Sequence, residues 1–179
     1  MFSFSVRFAS RYSVNKFGEN KMRSFLIGGL LALTTCTAIA QSEEIATCRN
    51  PSGRAFYHFN GLNNKTGSGW SDDKISNGVI TLVRAADGNF DMLYVDMRSK
   101  PISMTQDGAK IRLLRLSQDN VTVLAYYDNS TTEIYSFFKE KDGKNRYSVL
   151  TNKTGNDVVI PKSSVMVGDC SAIRFDLIK

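Results

Sequence analysis

Three short runs carry residues able to do acyl-transfer chemistry. Ser71-Asp-Asp-Lys74 sets a hydroxyl three residues before an amine, a spacing that a helix turns into a nucleophile with a proton acceptor beside it. Tyr127-Asp-Asn129 adds a polar pair, and Lys153-Thr-Gly155 a cation able to steer a substrate carboxylate. Ser71 would attack a carbonyl, Lys74 would take its proton, and Lys153 would orient the substrate. His58, the single histidine, has the titration range of a general base. It has no second histidine to work with, and its reading is structural or superficial.

In type and order these runs resemble the S-x-x-K, Y-x-N and K-T-G motifs of the serine penicillin-binding proteins and β-lactamases. That resemblance implies a serine opening a buried helix between a helical region and a five-stranded sheet, an architecture that takes a far longer chain. No apolar helical pattern follows Ser71, and a second Lys-Thr-Gly at Lys65 to Gly67 shows how cheaply such runs arise. The expectation is therefore a protein that is not an enzyme, with acyl transfer by Ser71 as the alternative. Neither a cofactor nor a metal is expected, since His58 and the cysteines lack Cys-x-x-Cys or His-x-x-x-His spacing.

The chain opens on a leader. Lys21-Met22-Arg23 is a basic start, residues 25–33 are an apolar run too short to span a bilayer, and Ala38-Ile39-Ala40 is a small-residue cleavage site. This is a secretory signal of bacterial style, with Met22 as a candidate true start, and it predicts a periplasmic or secreted protein. Cys36 behind the apolar run offers lipid anchoring as a lesser alternative. Residues 41–179 then form a single β domain with no transmembrane segment. The leader holds five basic residues and one acidic one, so the net charge of +6 falls to +2 in the remainder. So small a charge gives no warrant for a nucleic-acid partner, even where Lys139, Lys141, Lys144 and Arg146 follow aromatic residues.

Cys48 and Cys170, the cysteines beyond the leader, form an even pair in an exported chain and read as a disulfide that brings the first and last strands together. Between them, short β-branched and aromatic runs alternate with turn chemistry. The densest is residues 121–138, two strands around Asp128-Asn129-Ser130 with apolar residues on both faces. Asn50-Pro-Ser-Gly53, Asp87-Gly88, Asp107-Gly108 and Asp142-Gly143 read as turns, and the phase change at Leu113-Leu114 as a β-bulge. Residues 158–160 read as a short strand, and Ala172 to Ile178 as a last strand with Ile173, Phe175 and Leu177 inward. Ser71 as an N-cap, Asp72 and Asp73 in a first turn and Gly78 as a stop predict one helical turn at 71–77. About eight or nine strands without an amphipathic helix mean an all-β antiparallel meander, closed or nearly closed into a barrel, with a sandwich as the alternative.

Within that fold the glycine-rich stretch 61–69 ending in Trp70, with Asp72 and Asp73, is the candidate binding lip, and Tyr126 and Tyr135 are the candidate aromatic platform. These five residues predict a binding or inhibitor-like module for an unidentified protein or small ligand of the cell envelope. A structural envelope protein is the second alternative. Cys48-Arg-Asn-Pro-Ser-Gly53 before a strand resembles the small periplasmic barrel inhibitors of lysozyme, a likeness of six residues that carries no function by itself.

Overall fold

The computed structural model describes residues 42–61, 67–95, 100–155 and 158–178. The leader readings, Cys36 among them, and the centre of the glycine-rich loop lie outside those residues.

Ten strands make one antiparallel sheet: β1 (Glu43–Tyr57), β2 (Gly69–Lys74), β3 (Val79–Arg84), β4 (Phe90–Val95), β5 (Pro101–Ser103), β6 (Lys110–Leu116), β7 (Asn120–Tyr127), β8 (Thr131–Lys139), β9 (Asn145–Lys153) and β10 (Lys162–Ile173). The strand order is β5-β4-β3-β1-β10-β9-β8-β7-β6, with β2 pairing β1 off this path. The meander barrel is thus present and opened along one seam: β5 and β6 are consecutive in the chain, yet they are the two ends of the hydrogen-bonded path. Cys48 lies opposite Cys170 in the β1–β10 ladder, and the two are disulfide-bonded. The bridge therefore sits mid-sheet and covers no edge.

The central hairpin folds as its pattern requires. Val121, Val123 and Ala125 are fully buried, and Asn129 takes the left-handed conformation (φ 63°) that the tight turn needs. The opposite face of the same strands is also apolar: Leu124, Ile134, Leu150 and Val165 form one row across β7 to β10 on the outer wall. The bulge in β6 falls between Leu113 and Arg115, where the phase of the sequence changes.

Several local readings give way to longer-range pairing. Asn50-Pro-Ser-Gly53 does not end a strand; Asn50 (φ 50°) makes a bulge inside the long β1, and the register jumps between Arg49 and Ser52. Before that bend β1 pairs β3, and after it β1 pairs β2, so one strand serves two parts of the sheet. Residues 69–74 are strand β2 and not a helical turn, because each of them finds a ladder partner in Ser52 to Tyr57. Residues 158–160 are a loop. The last strand ends at Ile173, and Phe175–Ile178 is a 3-10 turn that tucks Ile178 into the core.

The packed core runs the length of the sheet, from Met92 on β4 and Leu82 on β3 through Ile45 on β1 to Phe137 and Tyr147 on β8 and β9. Phe137 is buried between Tyr135 and Tyr147, with ring centroids 6.5 and 6.0 Å away. Gly168 faces Tyr147 across the β9–β10 ladder, where any side chain would overlap the tyrosine ring and the Arg49 carbonyl. Glycine at 168 is what lets the aromatic stack close against β10.

Candidate binding cavity

Register turns five strands into rows of inward-facing side chains. Running from β7 to β1, one row is Val121, Phe137, Tyr147 and Gly168, and the next is Val123, Tyr135, Val149, Met166 and Gly53. Apart from the glycine that ends each, both are filled by large or branched residues. The following row is Ala125, Glu133, Thr151, Ser164 and Ala55. Four of these five side chains are small, so the wall steps back and the interior is not filled. The outermost row, Tyr127, Thr131, Lys153, Lys162 and Tyr57, forms the rim.

A cavity of about 920 Å³ opens above the core as a result, within the range of small-molecule sites. Val149 and Met166 form part of its wall, and the exposed Ile75, Val159 and Ile160 form an apolar lip. Polar groups enter from defined positions. Tyr135 donates its hydroxyl to Glu133 Oε2 at 2.6 Å, and Thr151 donates to Glu133 Oε1 at 3.3 Å. On the seam side, Tyr94 and Tyr127 both donate to Asp107 Oδ2, at 3.1 and 3.3 Å. Asp107 is held there by the β5–β6 turn, which Asp91 of β4 anchors by accepting hydrogen bonds from the Ser103 hydroxyl at 2.5 Å and the Thr105 hydroxyl at 2.8 Å. Ser164 is only 4% exposed, lines the cavity, and its Oγ has no hydrogen-bond partner among the described residues. Buried hydroxyls are almost always paired, so an unpaired one marks a place that wants a partner.

The candidates read from the sequence do not converge. Tyr135 lines the cavity, but Tyr126 stands on the outer face, where Lys110 Nζ lies 5.6 Å from its ring centroid. Trp70 is 63% exposed on β2, edge-on to Phe56 at 5.5 Å and under Arg54 at 5.9 Å. It is absent from the cavity wall. Asp72 pairs loosely with Arg54 on the surface, and Asp73 forms a closer ion pair with Lys162, 2.7 Å, at the cavity rim. Replacing Trp70 by alanine should therefore leave stability within about 1 kcal/mol of wild type, since no core cavity is created. A thermal melt checks this, and a loss of several kcal/mol would place the indole in the core.

Of the three acyl-transfer runs, two meet. Thr154 N donates to Ser130 O at 2.9 Å, which brings Lys153-Thr-Gly155 against the turn after Tyr127. Ser71 sits on a strand, its Oγ donating to the Asp72 carbonyl at 3.2 Å, and the two-residue period sends Ser71 and Lys74 to opposite faces. His58 Nε2 lies 3.1 Å from the Ser163 hydroxyl in the wall between β1 and β10.

Comparison with protein-family models, curated proteins and solved structures finds no match to this chain. The residues that shape the cavity are consequently read from geometry alone. Glu133, Thr151, Ser164, Asp107, Tyr94 and Tyr147 were not among the sequence candidates. The one available signal was the inward phase shared by Glu133, Tyr135 and Phe137 along β8.

Burial raises the tyrosine hydroxyls of this region. Desolvation is the first cause for Tyr127, Tyr135 and Tyr147, and the neighbouring Asp107 and Glu133 add to it for the first two. A folded-state value above the ordinary 10 means stability that is complete below pH 10 and is lost as pH rises beyond it. Absorbance titration near 295 nm should show these three hydroxyls ionising only together with alkaline unfolding. Full ionisation of all tyrosines in one step near pH 10 with the fold retained would contradict the buried cluster.

Proposed function

We propose that this protein is a non-catalytic binding module that holds a small amphipathic ligand in the hollow end of its β-barrel. The observation that carries the reading is the cavity with a buried, unpaired Ser164 hydroxyl in its wall and apolar side chains at its lip. A concave wall that mixes apolar side chains with polar groups held at defined positions is the composition of a small-molecule site. The serine acyl-transfer alternative has weaker support, because Ser71 and Lys74 project from opposite faces of a strand.

The module acts in the periplasm or outside the cell on this reading. The disulfide between Cys48 and Cys170 supports an oxidising compartment, and the basic and apolar leader pattern supports export. An inhibitor-like role has one observation in its favour: Val159, Ile160 and Phe59 are exposed apolar residues in the rim region, a surface a partner protein could cover.

The test is titration with N-phenyl-1-naphthylamine, a neutral apolar dye that brightens when it leaves water. Saturable binding at one site is expected for wild type. Thr151→Phe, which pushes a ring into the empty row, should abolish it while the melting temperature is retained. Dye binding that survives the filling substitution would move the site elsewhere.

A further inference from the structure

The charges in the cavity wall select among ligand classes. Glu133 is half-buried and both of its oxygens accept hydrogen bonds, but both donors are neutral hydroxyls, Tyr135 at 2.6 Å and Thr151 at 3.3 Å. No ion pair to Glu133 occurs among the described residues. Each carboxylate oxygen keeps a further lone pair for another donor. Asp107, at the seam side of the same cavity, is likewise held by two tyrosine hydroxyls. Two cations also line the wall, and neither answers Glu133. Lys162 is drawn to Asp73 at 2.7 Å and lies 5.8 Å from the Tyr57 ring centroid. Lys153 stands in the outer row, opposite Thr131 and Lys162.

We propose that the ligand is an amphipathic amine whose ammonium group enters the cavity, with Glu133 as its counter-ion and its apolar tail against Ile75, Val159 and Ile160. This rests on the binding reading above and adds the chemical class. A half-buried carboxylate held by neutral hydroxyls alone can still take a charged donor, and an ammonium that reaches it adds a charge-assisted hydrogen bond. A ligand anion would meet Glu133 with like charge. The rings of Tyr94, Tyr127, Tyr135 and Tyr147 border the same space, and aromatic faces attract ammonium groups. Ser164, two strands from Glu133 in the same row and so roughly 10 Å away along the wall, supplies a second polar anchor for a head that reaches that depth.

Calorimetric titration of the full protein at pH 7 with decylammonium, decanol and decanoate, each below its micellar concentration, tests this. Equal tails isolate the head group. Decylammonium is expected to bind about tenfold more tightly than decanol, with decanoate the weakest. Non-specific attraction to a domain of net charge +2 would favour decanoate, the reverse order. In Glu133→Gln, which keeps shape and hydrogen-bonding reach, the ammonium and the alcohol should bind alike. Equal binding of ammonium and alcohol to wild type overturns the amine assignment and leaves the cavity reading standing. A preference that persists undiminished in Glu133→Gln also overturns it. Failure of all three compounds and of the neutral dye to bind refutes the cavity reading and this inference with it. Should Glu133→Gln not fold, the wild-type series decides alone.

Discussion

Phe137→Ala should destabilise the protein by about 3–5 kcal/mol, the usual cost of emptying a fully buried aromatic site. Phe137 has no exposed surface and stands in the middle of a stack, with Tyr135 on one side and Tyr147 on the other. Collapse of the gap is hindered because Val121 and Gly168 hold the ends of the same row across the β7–β8 and β9–β10 ladders. Urea denaturation followed by tyrosine fluorescence measures the loss. A change under about 1 kcal/mol would mean that the aromatic stack is not the base on which the cavity rests. The substitution should also weaken dye binding, since Tyr135 and Tyr147, which line the cavity, pack on Phe137.

Replacing Cys48 and Cys170 together by alanine should be nearly as damaging. The bridge spans 122 residues, and on a chain-entropy treatment closing so long a loop contributes roughly 4–5 kcal/mol, with native disulfides typically giving 2–5. The double substitution is the clean comparison, because a single one leaves an unpaired thiol opposite a cavity. Denaturation of the double variant under non-reducing conditions gives the difference directly. If it stays within about 1 kcal/mol of wild type, the β1–β10 ladder already restrains the two ends, and the bridge is redundant with it.

The all-β character was legible because β-branched and aromatic runs alternate with Asp-Gly and Asn turns at short intervals. The central hairpin, the bulge in β6 and the disulfide were legible for local reasons: phase, turn residues and an even cysteine pair. What misled was chemistry that serves two geometries. A left-handed asparagine before Pro-Ser-Gly suits a turn and a bulge equally, and at Asn50 the pairing of β1 with β10 decided for the bulge. Ser71 with two aspartates has a helix cap's composition, yet the free edge of β1 offered six ladder partners and the segment became β2. The alternation through Ile173, Phe175 and Leu177 was real as a sign of burial, since all three pack against the core, but the backbone leaves the strand after Ile173.

The cavity was less legible than the fold. Alanine at 55 and 125, serine at 164 and threonine at 151 are unremarkable one by one. They make a hollow only because the registers of four ladders bring them to one level. Trp70 drew attention by size, which speaks to contact area and not to which side of the wall it occupies.

The pairing of β1 with β10 has a consequence for how the chain comes to be folded. Local hairpins such as β3–β4 and β7–β8–β9 can assemble as soon as their residues are available. The ladder at the centre of the sheet joins Ala46 to Ile173 and Tyr57 to Lys162, so contact order is high and this ladder is among the last to form. During synthesis β1 can pair β2 and β3 early, but its β10 side waits for nearly the whole chain to emerge. An apolar strand that waits is open to wrong partners, which is the aggregation hazard that a sheet closed by its first and last strands carries while it folds.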